Sequence, residues 1–136
     1  MALNKTSILL SFVAFLTISF AQAGFVKGTL VKTSSGYIPI EGLCIGDDVY
    51  CFDTYNDEFF LRIITDVSTH EVPYLLYIQT NGTHIIADAE QPFYLPLEDV
   101  WCCAEDLQPN MVLLSCYEQH SVVQNVNEVR INALVY

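Results

Sequence analysis

From residue 24 onward, apolar positions in this chain recur every second residue, the spacing of strands and not of helices. Leu30-Val31-Lys32-Thr33 and Tyr37-Ile38-Pro39-Ile40, separated by Ser34-Ser35-Gly36, predict a hairpin that turns at Gly36. Residues 48–53 (DVYCFD) predict a strand, residues 54–58 a polar turn, and residues 59–70 one long strand rich in β-branched side chains. Residues 72–80 and 83–87 pair around Asn81-Gly82, the dipeptide that most favours a hairpin turn. Residues 92–97 and 111–117 predict short strands, and residues 98–107 a helical turn. Val129, Ile131, Ala133 and Val135 alternate as one face of a last strand. The spacing predicts an all-β sandwich or barrel-like body. Nothing follows Tyr136 to pair with the last strand, so its edge is expected to be open to a protein partner.

The first 23 residues break this pattern. A free amine and Lys5 precede a run from Ile8 to Phe20 that is apolar apart from Ser11, Thr17 and Ser19, and Ala21-Gln22-Ala23 follows. A positive end, a short greasy run and an A-x-A site make a secretory signal. The run is shorter than the roughly 20 apolar residues that span a bilayer. Residues 1–23 are therefore expected to be a cleaved signal peptide and residues 24–136 the mature domain, secreted or periplasmic and free of the membrane. Gly24 would begin it.

Charge narrows the function classes. After residue 23 there are four basic side chains (Lys27, Lys32, Arg62 and Arg130) against sixteen acidic ones, a formal charge of −12. Such a surface repels phosphate backbones and anionic lipid, which excludes nucleic acid as a partner. The hydrophobic content of 52% is too high for disorder. The 113 residues from 24 to 136 suffice for one domain with a core.

Five cysteines, Cys44, Cys51, Cys102, Cys103 and Cys116, are free to bridge in an oxidising compartment, and spacing does not choose a pairing. A disulfide-bridged secreted effector is accordingly one reading of the chain. Cys102 and Cys103 are too close to bridge each other, with neighbouring Cα atoms about 3.8 Å apart. Cys102, Cys103, Cys116 and His120 fit no common zinc spacing. Asp53, Asn56, Asp57 and Glu58 lack the spacing and glycine of an EF-hand loop and suit a solvated hairpin tip. Neither a metal nor a cofactor is expected.

Four stretches share the pattern of one family. Gly24-Phe25-Val26-Lys27-Gly28-Thr29-Leu30-Val31 follows C-F-x-x-G-T-x-V at all but its first residue. Residues 36–49 (GYIPIEGLCIGDDV) follow G-x-x-P-I-E-x-I-x-x-G-D-x-V. Asp88-Ala89-Glu90-Gln91-Pro92-Phe93-Tyr94 stands where T-x-x-H-P-F-Y is found, and residues 101–107 (WCCAEDL) follow W-x-x-A-x-x-L. In this the chain resembles the Hint family, the module of inteins, hedgehog autoprocessing domains and bacterial polymorphic-toxin proteins. The resemblance runs from Gly24 to about Cys116 and implies a horseshoe-like all-β fold.

It also implies a chemistry. In the family, a cysteine at position one attacks the carbonyl of the preceding peptide bond in an N-to-S acyl shift, because sulfur is nucleophilic near neutral pH. The threonine and histidine of T-x-x-H orient that amide and protonate its nitrogen. Here the positions hold Gly24, with no side chain, Asp88 and Gln91. An amide moves no proton, and a carboxylate opposes charge building on the carbonyl oxygen. No catalytic group is intact, so self-cleavage is not expected, and a binding or structural role is; Gly24→Cys with Gln91→His should return partial thiolysis. An autoprocessing domain working by another route, or with a partner fragment, is the enzymatic alternative. Intein-type members continue past a Val-Tyr like Val135-Tyr136 to a terminal His-Asn, so splicing would need another chain. Thr29 belongs, in the family, to the turn that holds the opening strand. His70, His84 and His120 are read as surface or turn residues, and Thr69 with Asp66 nearby does not support hedgehog-type sterol transfer. Asn81-Gly82-Thr83 is also a glycosylation sequon on a hairpin tip.

Overall fold

A computed structural model describes residues 23–115 and 121–136. Within them the chain is all-β, with twelve strands, two single 3-10 turns (Ile40–Gly42 and Ala104–Asp106) and no α-helix. The expected signal, apart from Ala23, lies outside the described residues, as do Cys116 and His120 of the conceivable metal set.

The main sheet runs β10 (Val112–Leu113), β11 (Ser121–Val129), β6 (Leu75–Thr80), β7 (His84–Ala87), all antiparallel. Neighbouring residues on a strand face opposite ways, and β6, LLYIQT, is apolar on both faces. Leu76 and Ile78 enter a larger core with Leu95, Leu107, Leu113 and Val123, while Leu75 enters a smaller one with Val72 and Val135. Ile78, Val123 and Val135 are essentially sealed from solvent, and each such side chain contributes about 1.5–3 kcal/mol. The small core carries the chain's opening segment, since Val26 packs on it.

Two-stranded ribbons surround the sheet. β1 (Leu30–Thr33) and β2 (Gly36–Pro39) form the expected hairpin, with Gly36 at φ +117° in its turn. β3 (Asp48–Asp53) pairs with β4 (Glu58–Ile63), β5 (His70–Val72) with β12 (Ala133–Val135), and β8 (Pro92–Leu95) with β9 (Val100–Cys103).

Some expectations fail for identifiable reasons. The long strand over 59–70 is two strands, because the partner β3 runs out: Ile64 N–H donates to Asp47 O and Ile64 O accepts from Gly46 N–H, which closes the ladder. Residues 72–80 divide at Pro73, which has no N–H to donate. Residues 98–107 do hold one helical turn, the 3-10 turn Ala104–Asp106, directly after β9. The longest strand, β11, reads SVVQNVNEV and hardly alternates; its ladder to β6 holds it despite a register shift between Val123 and Asn125. The terminal edge is not open. β12 has β5 on one side and the segment Phe25-Val26 on the other, through a bridge from Val26 to Val135 and reciprocal 3.0 Å bonds between Phe25 and Tyr136.

Candidate functional site

The opening turn is built by the residues around Gly28 and Glu41. Gly28 takes φ +88°, a conformation glycine adopts at little cost, and its N–H donates to Glu41 Oε2 at 2.8 Å. That bond, followed by Glu41's own backbone N–H, holds the carboxyl below its ordinary 4.5, with help from Lys27. Thr29 gives both its N–H and its hydroxyl to Val26 O, at 3.2 and 2.7 Å. Its own carbonyl accepts from Ile40 N–H. Thr29 is thus a turn residue, its hydroxyl already engaged. Asp47 and Asp48 act in the same way, accepting the N–H groups of Cys44 and Ser34 at 2.8 Å each. The Ser34 hydroxyl and N–H hold Asp48 below the usual carboxylate range.

These staples deliver Gly24 to the small core. Gly24 is buried, its carbonyl accepts the Asp88 N–H at 2.9 Å, and Phe25 bridges to Ala87. Asp88 follows β7 directly and is only 8% exposed. Its Oδ1 accepts the Ala89 N–H at 2.6 Å, and its Oδ2 lies 3.6 Å from His70 Nε2. That is ion-pair range but too long for a hydrogen bond, and Nε2 is buried with no hydrogen-bond partner. His70 is therefore not the surface residue that sequence suggested. The overlooked signal was period two: His70 shares a strand face with Val72, which is buried. An open cavity of about 270 Å³ adjoins the pair, bordered also by Glu71, Tyr74, Glu90 and Glu105. Among the described residues no cluster of His, Cys, Asp and Glu has the geometry to hold a metal.

Gln91 ends the turn that Asp88 begins. Its N–H donates to Asp88 O, its carbonyl accepts from Ala104 N–H, and Glu105 N–H reaches Ala89 O, so the 3-10 turn after β9 backs this segment. The Gln91 side chain is spent locally, with Nε2 donating to Pro92 O at 3.1 Å. The structure thus brings Gly24 and Asp88 together, adds His70, and turns the Gln91 amide to its own neighbour.

The space at Gly24 is as informative as its contacts. A Cβ built there would lie 2.8 Å from Tyr136 O and 3.0 Å from both Val135 Cβ and Cγ2. The nearest atom is backbone, so relief requires a shift of the chain at the end of β12. Of the described thiols, Cys102 is held as the neutral form. Burial first, then the charges of Asp106 and Cys103, push the Cys102 thiol up, which disfavours thiolate. Cys44, Cys51, Cys102 and Cys103 are all unbridged. Thr69 and Asp66 are exposed in the connection between β4 and β5. Asn81 Oδ1 accepts the Val122 N–H at 3.0 Å, which ties the β6–β7 turn to β11.

No protein-family model matches the chain, and no curated protein does. Solved structures do. A bacterial intein-like domain from Clostridium thermocellum is 26% identical, with a TM-score of 0.75 over 82% of each chain. A DnaB intein from Synechocystis is 11% identical, with a TM-score of 0.70 over 83% of this chain and 85% of its own. The gp41-1 intein gives 15% and 0.69 over 85% of this chain and 84% of its own.

Proposed function

This chain has the Hint fold of inteins and intein-like domains, and from that premise we propose an exported module that does not carry out the acyl shift. One observation carries the proposal: position one is a glycine, packed so that even a Cβ would meet the carbonyl oxygen of Tyr136 at 2.8 Å. The shift needs a side-chain nucleophile within reach of the preceding carbonyl, and the cleft there is filled by β12. Two further features agree. A carboxylate at Asp88, whose N–H donates to the Gly24 carbonyl, disfavours negative charge building nearby on the tetrahedral oxygen. Gln91 holds no transferable proton and already donates to Pro92 O. What remains is a rigid, acidic β scaffold suited to binding or structural work outside the cytoplasm.

The test replaces residues 1–23 with a short peptide, incubates the purified fusion with and without dithiothreitol, and reads the intact mass. The fusion should survive both conditions. Thiol-dependent loss of the peptide overturns the proposal.

A second reading rests on the His70–Asp88 pair. In that reading a water entering from the adjoining cavity gives its proton to His70 Nε2, its oxygen bonds the Ala23 carbonyl carbon, and the Gly24 nitrogen leaves with the proton. This route predicts loss of the peptide without thiol, abolished by His70→Phe.

A further inference from the structure

Away from that centre, the β3–β4 and β8–β9 ribbons meet through an unbroken line of aromatic rings. Phe52 and Phe59 are cross-strand partners with centroids 4.9 Å apart, and so are Tyr94 and Trp101 at 5.4 Å. Phe52 and Tyr94, 6.3 Å apart, join the two pairs. The two outer rings are uncovered, Trp101 63% and Phe59 47% exposed, and the inner Phe52 and Tyr94 are half-buried. A contiguous exposed apolar surface marks an interaction site more often than scattered apolar residues do.

Carboxylates edge the ridge. The Tyr94 hydroxyl donates to Asp99 Oδ1 at 2.5 Å, and the charges of Asp99 and Asp57 both reach the phenol. Asp53 and Glu58 face each other across the tip of the β3–β4 ribbon. Among the cations of the described residues, only Arg62 also acts on this edge, through Asp53. Lys32 stands over Tyr50 and Arg62 over Phe60, at 5.0 and 4.9 Å, Arg130 pairs with Glu128, and Lys27 acts on Glu41. Aromatic faces with carboxylates beside them attract a cation by ring quadrupole and by charge together, tryptophan most strongly. The formal charge of −12 after residue 23 steers such a partner in from a distance.

We propose that the ridge Phe59–Phe52–Tyr94–Trp101 is a docking surface for a basic, unstructured peptide segment. An arginine or lysine lies over the Trp101 and Tyr94 rings, its cationic head toward Asp99 and Asp57. A guanidinium suits the position best, since its plane stacks on an indole while its N–H groups meet a carboxylate.

Trp101 is the chain's single tryptophan, so its emission reports the ridge directly. Hexa-arginine titrated into the whole mature domain should change that emission saturably, with the isotherm repeated by calorimetry. Trp101→Leu, exposed and outside the core, should weaken calorimetric binding by about tenfold or more. Asp99→Asn should weaken it about fivefold; asparagine keeps the left-handed backbone, φ +55°, found there. Glu128→Gln removes the same charge from β11 and should leave binding unchanged. No saturable response overturns the proposal. So does equal weakening by Glu128→Gln and Asp99→Asn, which means diffuse attraction, or an equal response to cellohexaose, which means a sugar platform.

Discussion

The opening turn and the candidate centre share the segment around Gly24 and Gly28, yet they depart from the Hint pattern to opposite degrees. Around Gly28, Thr29 and Glu41 each pattern residue is present and makes the contact that its type explains: positive φ at glycine, a hydroxyl folded onto Val26 O, a carboxylate on an exposed N–H. Around Gly24, Asp88 and Gln91 the backbone contacts are made, while on the proposed reading the side chains offer neither a nucleophile nor a proton donor for the acyl shift. On that reading, the contrast teaches that fold and chemistry rest on separable residues. Bonds from side chain to backbone hold the scaffold, and they do not require the reacting groups to be there.

Substitutions at the centre should break the contrast most strongly. Gly24→Cys should destabilise the domain by about 1–3 kcal/mol, the usual cost of overpacking, seen as a lower urea midpoint. Paired with Gln91→His it should return no thiolysis, because the added Cβ meets backbone at Tyr136. This reverses what sequence alone suggests. Asp88→Ala should cost roughly 1–2 kcal/mol by leaving the buried Ala89 N–H without its acceptor, whereas Asp88→Asn, which keeps an acceptor oxygen, should cost less.

The opening turn should respond weakly and through pH. Glu41, Asp48 and Asp53 are all held below their ordinary values of 4.5, 3.8 and 3.8, chiefly by hydrogen bonds from Gly28, Ser34 and Asn56. A carboxylate lowered in the folded state contributes its stability in full above its unfolded value and loses it as pH falls through the folded one. The thermal midpoint should therefore drop as pH falls from about 4.5 through 3.8 and below, and Glu41→Gln with Asp48→Asn should flatten that drop. Smallest of all should be the effect of reductant. Four cysteines are unbridged, so dithiothreitol should barely move the midpoint. A collapse would favour the disulfide-bridged effector.

Much of the fold was legible because its signals are local. Gly36 fixed one hairpin and Asn81-Gly82 another, although the strand before the second turn starts at Leu75 and not, as its pattern suggests, at Val72. What escaped depended on partners distant in sequence. Ile64 leaves its strand because β3 has ended, a fact about pairing rather than propensity. β11 is a strand by virtue of β6, against its own polar composition. At the site, the motif positions located Gly24, Asp88 and Gln91. His70 was legible only through its alternation with Val72, and the close approach of Tyr136 to Gly24 joins residues more than a hundred apart, which no local pattern encodes.

The central claim is that no acyl group passes to this chain at residue 24. Its most direct measurement is a trap: the fusion with a peptide ahead of Gly24 is held in hydrazine at neutral pH, and the released material is weighed by mass spectrometry. The account predicts only the uncut fusion. A peptide hydrazide ending at the residue before Gly24 would show an activated acyl intermediate, and the claim would be wrong.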